Sequence, residues 1–138
     1  MKTKAVCIKK TGGPEVLKLE NVEINPIKPN EVLIKHEAIG LNYIDIYHRT
    51  GINPLPLPFI PGLEGSGVIE EVGRDVLNFN IGDRIAYCTA SVGSYCERRS
   101  LPADKLVSLP EDISCQDAAA ILLKGLTAEY LIHRAYKV

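Results

Sequence analysis

Over residues 1–110, apolar and polar side chains alternate in short runs cut by glycine and proline, a pattern that predicts β-strands joined by tight turns. Residues 4–9 (KAVCIK) form the first candidate strand and stop at Thr11-Gly12-Gly13-Pro14, a strong turn sequence. Short strands are expected at 16–19 and 22–24, after which Pro26 and Pro29 break the chain. In 31–40 (EVLIKHEAIG), Val32, Ile34, His36 and Ala38 share one face, while Leu33, Lys35, Glu37 and Ile39 share the other. Apolar side chains on both faces suit a strand in a curled or closed sheet. GSGVIEEVG, IGDRIAYC and GSYCERRSLP supply three further strands.

Two segments interrupt this pattern. GLNYIDIYHRTG, residues 40–51, crowds Asn42, Tyr43, Asp45, Tyr47, His48 and Arg49 into the end of a strand. Its spacing places Ile44, Tyr47 and His48 on one face of a short helix. PLPLPFIPG then carries four prolines within residues 54–61 and must run as an extended loop, because each proline removes a backbone donor. From Ser114 the period changes to a helical one. Ser114 is the expected N-cap, Asp117 lies three residues on, and DAAAILLKG is rich in helix formers. Gly125 is expected to close that helix. Thr127 would then cap a second helix, whose apolar face is Ala128, Leu131, Ile132 and Ala135. The expected fold class is mainly β, a single domain over 1–138 with short helices and two C-terminal helices.

Composition narrows function more than fold. Sixteen Lys and Arg face 17 Asp and Glu, for a net charge of -1 with the signs interspersed, so neither nucleic acid nor anionic lipid is an expected partner. No apolar run nears the ~20 residues that span a bilayer. The start, MKTKAVCIKK, is basic but lacks the apolar stretch of a signal peptide, and a cytoplasmic location is expected. Cys7, Cys88, Cys96 and Cys115 form no CxxC pair and read as thiols of a reducing compartment.

GGPEVLKLE, EVLIKHEAIGLNYIDIYHRTG, PGLEGSGVIEEVG, IGDRIAY and LLKGLTAEYL follow one another along the chain. Together these blocks resemble the quinone oxidoreductase (zeta-crystallin-like) branch of the medium-chain dehydrogenase/reductase superfamily. The resemblance covers nearly all of the chain but only the family's N-terminal half, its GroES-like substrate domain. It implies a partly open GroES-like β-barrel and hydride transfer from NADPH to a quinone or another small conjugated carbonyl. It also implies that the Rossmann half, which grips the coenzyme, lies outside these residues, so that the 138 residues alone are expected to be inactive. A homodimer is compatible with it. Gly62-Leu63-Glu64-Gly65-Ser66-Gly67 and Gly12-Gly13 precede strands rather than follow them, and so read as turn glycines, not as a pyrophosphate loop.

Zinc-bearing relatives place a cysteine in the segment matching Leu41 to Asp45 and a histidine just before the residue matching Glu64. Here those places hold Asn42, Tyr43, Asp45 and Leu63. Leucine cannot coordinate and a catalytic zinc needs three protein ligands, so no metal is expected. Hydride addition to a quinone leaves an anion already spread over the ring, for which hydrogen-bond donors suffice. Asn42 and Tyr47 are the candidate catalytic donors. Tyr43, Ile44 and Thr127 fall where the resemblance implies contact with the nicotinamide, and Leu63 where it implies a pocket wall. Plainer readings stand beside these: a turn residue for Asn42, core packing for Tyr47, and a helix N-cap with free N–H groups for Thr127. Asp45 is expected to cap the short helix or accept a bond from Arg49. His48 and Arg49 read as a solvated face, Glu64 as a backbone anchor in a turn, Lys124 as solvated, and His36, Cys88 and Cys96 as ordinary packing residues. Three other functions stay open: an enoyl or enone reductase domain, a non-catalytic GroES-like fragment, and a co-chaperonin-like module, which the stiff loop at 54–61 disfavours.

Overall fold

The computed structural model describes residues 1–136. Its strands are β1 (Lys2–Cys7), β2 (Lys18–Glu23), β3 (Glu31–Gly40), β4 (Glu64–Val72), β5 (Arg84–Cys88), β6 (Arg98–Pro102) and β7 (Val107–Ser108). β1 and β2 form a two-stranded antiparallel ribbon, and the other five lie in the order β6-β3-β4-β5-β7. Every pairing is antiparallel. β6 and β7 are the edges of the larger sheet, so the barrel curls without closing. Residues 16–24 give one strand where two were expected, because Pro14–Val16 is a single 3₁₀ turn and β2 continues through Asn21.

The core is the concave face of the larger sheet. Val32, Ile34, Ile69, Ile85 and Leu101 are sealed there around Tyr87. Gly65 and Gly67, expected in a turn, lie inside β4. A Cβ on Gly67 would sit 2.0 Å from the Lys35 carbonyl oxygen, so its lack of a side chain is what lets β4 lie against β3 at the irregularity between His36 and Ala38. Gly40 serves α2 in the same way. A Cβ there would meet the Ala119 carbonyl oxygen at 2.3 Å and Glu64 Oε2 at 2.5 Å. The end of β3 can thus pack directly beneath a helix.

That helix, α2 (Cys115–Glu129), starts as expected: the Asp117 N–H donates to Ser114 Oγ at 3.0 Å. It lies against β3, β4 and β5, burying Cys115, Ala118 and Ala119. The expected break at Gly125 does not occur. α2 runs through Gly125 into a π-helical turn, Tyr130–Ala135. A glycine ends a helix by taking the left-handed conformation, whereas Gly125 is flanked by helix formers and nothing packs near it to force a turn. Lys137 and Val138, the end of the expected second helix, lie outside the described residues. Ile121, Leu126, Tyr130, Leu131 and Ile132 leave a run of apolar surface exposed on the helix. No helix among the described residues is long and apolar enough to cross a membrane.

Because Gly125 sits in a helix interior with open space around it, Gly125→Ala should raise the unfolding free energy by about 0.5–1 kcal/mol in urea denaturation. A loss of stability would mean that Gly125 is a left-handed cap and that the helix is broken there.

Candidate functional site

The polar stretch after β3 folds into α1 (Tyr43–Thr50). Asn42 is its N-cap in extended conformation, and the backbone N–H of Asn42 donates to Asp45 Oδ2 at 3.0 Å. Gly51, at φ 84°, ends the helix in the left-handed region that glycine favours. Asp45 therefore caps, as expected, but Arg49 does not reach it. The guanidinium donates instead to the Gly12 carbonyl at 2.7 Å, tying α1 to the first turn, while the Tyr95 hydroxyl donates to Asp45 Oδ2 at 3.0 Å. His48 is buried rather than solvated, with Asn53 Nδ2 at 3.3 Å from Nε2. It points into the body because an eight-residue helix pinned at both ends has one inward face, and His48 shares that face with Asp45.

The Asn42 side chain turns inward to Glu64, the first residue of β4. Glu64 has no exposed side-chain surface, and its carboxylate is fully occupied. Oε1 accepts the Leu123 N–H of α2 at 2.7 Å, and Oε2 accepts Asn42 Nδ2 at 2.8 Å and Lys124 Nζ at 3.3 Å. Lys124 Nζ also donates to Asn42 Oδ1 at 3.0 Å. These partners fix the orientation of the amide, since the carboxylate only accepts and the ammonium only donates. One Asn42 N–H is left over. Lys124, expected to be solvated, is pinned at its head while 52% of its side chain stays exposed.

The remaining candidates lie on α1, on α2 and just before β4. Leu63 immediately precedes Glu64 and is half-buried. Tyr47 is 39% and Tyr43 69% exposed, their rings edge-on with centroids 5.2 Å apart, so Tyr47 is not a core residue. Ile44 is half-buried beside them. Thr127 is not an N-cap. It lies inside α2, one turn beyond Lys124, and its hydroxyl donates to the Leu123 carbonyl at 2.7 Å. Its N–H belongs to the helix ladder, which leaves only the hydroxyl lone pairs for a ligand. A carboxamide N–H fits that acceptor. Sequence reasoning missed Glu64 and Lys124 as members of the site, although the three-residue spacing from Lys124 to Thr127 puts both on one helix face. A groove of 620 Å³ lies elsewhere. It runs between β1, β2 and the end of β3 and is lined by Leu19, His36, Ile39 and Leu41 rather than by this cluster.

Behind the site, His36 belongs to a second polar network. Nδ1 donates to the Cys96 carbonyl at 2.7 Å, since a carbonyl only accepts, and Nε2 faces the Tyr87 hydroxyl at 2.7 Å. Arg99 lies over the Tyr87 ring and braces Ser91 and Ser94. This holds the loop that carries Tyr95 to Asp45. Burial drives the His36 pKa down to about 4. Burial also pushes the Cys96 thiol up to about 11, so Cys96 is a packing thiol and not a nucleophile.

The alcohol dehydrogenase GroES-like domain family matches residues 28–138, and the chain belongs to it. It is 46% identical to a quinone oxidoreductase of Pseudomonas aeruginosa over 92% of this chain and 39% of that protein. It is 40% identical to a 2-haloacrylate reductase of Burkholderia over 97% of this chain and 42% of that protein. The Escherichia coli quinone oxidoreductase solved in complex with NADPH superposes with a TM-score of 0.89 at 40% identity, over 98% of this chain and 42% of that chain. The branch expected from the sequence is thus borne out, and the chain spans about two-fifths of the length of these relatives.

His36 is neutral when folded, whereas the unfolded chain takes up its proton near pH 6.5. The stability this confers is complete above that pH and is lost as pH falls toward about 4. Thermal unfolding should therefore lose about 3 kcal/mol across that window through His36. His36→Gln should show a flatter pH dependence; a variant with the same slope as the parent would contradict the assignment.

Proposed function

We propose that this chain is the substrate-domain half of a zinc-independent, NADPH-dependent quinone oxidoreductase. The observation that carries the reading is the meeting of the α1 N-terminus, the start of β4 and the middle of α2 around Glu64, which brings Asn42 and Lys124 together one helical turn from Thr127. Bound NADPH would supply a hydride, that is, two electrons and one proton. The chain's own groups then do three things. Thr127 Oγ1 accepts from the nicotinamide carboxamide, Tyr43, Ile44 and Leu63 wall off water, and the free Asn42 N–H and the Tyr47 hydroxyl donate to the oxygen that gains charge.

The donor set supports zinc independence. Leu63 offers no lone pair, the Asn42 oxygen is committed to Lys124, and no three His, Cys, Asp or Glu side chains converge among the described residues. A Rossmann half outside these residues would grip the coenzyme's phosphates. The exposed apolar residues of α2 suit such a partner, since a run of this kind is uncommon on a free surface. The likeness to 2-haloacrylate reductase favours a second reading, reduction of a conjugated carbon–carbon double bond, in which the same donors meet an enolate oxygen.

The test is to fuse this chain to the remaining part of the Pseudomonas aeruginosa quinone oxidoreductase and follow NADPH oxidation with 1,4-benzoquinone and with 2-chloroacrylate. Turnover is expected, and Asn42→Ala with Tyr47→Phe should lower kcat roughly 100-fold. An unchanged rate would remove both residues from the chemistry, and turnover of the acrylate alone would replace the quinone reading with the second one.

A further inference from the structure

We propose that Lys124 Nζ is the cationic donor for the oxyanion of the reduced substrate, aimed by its bonds to Glu64 Oε2 and Asn42 Oδ1, with the Asn42 amide as a second donor beside it. The proposal deepens the reductase reading and rests on it. Three observations support the assignment. The ammonium has three N–H groups, of which the bonds to Asn42 Oδ1 and Glu64 Oε2 use two. Half of the Lys124 side chain remains exposed, although its partners are buried, Asn42 at 8% exposure and Glu64 at none. Lys124 also stands one helical turn before Thr127, so a ring whose carboxamide meets Thr127 Oγ1 lies beside the lysine head.

The arrangement is directional. Glu64 Oε1 is taken by the Leu123 N–H and Oε2 by Asn42, so the carboxylate sits behind the ammonium, fixed by two different elements. A lysine free in solvent would lose much rotamer entropy on meeting a ligand, but one tethered in advance loses less. Asn42 is the weaker donor, being neutral, nearly buried and left with a single free N–H. In the step itself, the quinone gains a hydride and becomes a hydroquinone monoanion, whose oxygen accepts from Lys124 Nζ. Water then gives it a proton, yielding the hydroquinone and leaving hydroxide to the bulk. The lysine stays an ammonium throughout.

The anion site can be read without any coenzyme by titrating para-nitrophenol against the 138-residue chain and following the colour of its phenolate. The parent chain should favour the phenolate and make the bound phenol more acidic. Lys124→Arg should keep this effect and Lys124→Met should abolish it. Because Lys124→Met leaves a buried carboxylate short of a partner, the double variant Lys124→Met with Glu64→Gln provides a neutral, folded control that should also lose it. Phenolate capture that is absent from the parent, or that survives in either Met variant, overturns the proposal. In the fused reductase, Lys124→Met should lower kcat about 100-fold with KM nearly unchanged, and an unchanged kcat would likewise overturn it. A fusion that reduces neither substrate while phenolate capture still depends on Lys124 would refute the reductase reading alone.

Discussion

Glu64 is a carboxylate with no exposed surface, and its two oxygens receive a backbone N–H from α2, the side-chain amide at the head of α1 and the Lys124 ammonium. A buried charge is tolerated only when it is paired and hydrogen-bonded, because desolvation costs several kcal/mol per ion. Three segments distant in sequence must therefore meet at one point: 42, 64 and 123–124. Gly40 makes the approach possible, since any side chain there would occupy the space of the carboxylate and of the Ala119 carbonyl. The site is a consequence of satisfying that one group.

The same requirement separates anchoring from exposure along the helix. The first two turns of α2 are held by Ser114 and by burial against the larger sheet, and its middle by Glu64. Beyond Lys124 nothing polar of the barrel holds it among the described residues, and Leu126, Tyr130, Leu131 and Ile132 are exposed. A domain built in this way presents a rigid rim with a cation and an acceptor hydroxyl on it, next to a surface suited to a second domain. The His36 network supports the opposite side of α1 through Tyr95 and Asp45. α1 is thus braced at both its cap and its back.

Much of this was legible in the sequence, and the misses have physical causes. β3 and β4 stood out because their alternation and flanking turns agree, and α1 because Ile44, Tyr47 and His48 fall at helical spacing. Asn42 was found by its residue type and place. Its true partner was not, because nothing local links position 42 to positions 64 and 124. Glu64 looked like a turn residue since two of its neighbours are glycines, yet those glycines serve strand packing. Lys124 looked solvated because most lysines are, and only a buried carboxylate some 60 residues away makes it otherwise. Gly125 and Thr127 misled in the same way: each carries a helix-end signal that the surrounding helix formers override.

The most direct measurement is a double-mutant cycle between Asn42→Ala and Glu64→Met, read by guanidinium denaturation of the chain. If the carboxylate organises the site, each single change strands polar groups that the other leaves unneeded. The double variant should then be more stable than the sum of the two losses by about 1–2 kcal/mol. Losses that add to within about 0.3 kcal/mol would show the two residues to be independent and would contradict the central role given to Glu64.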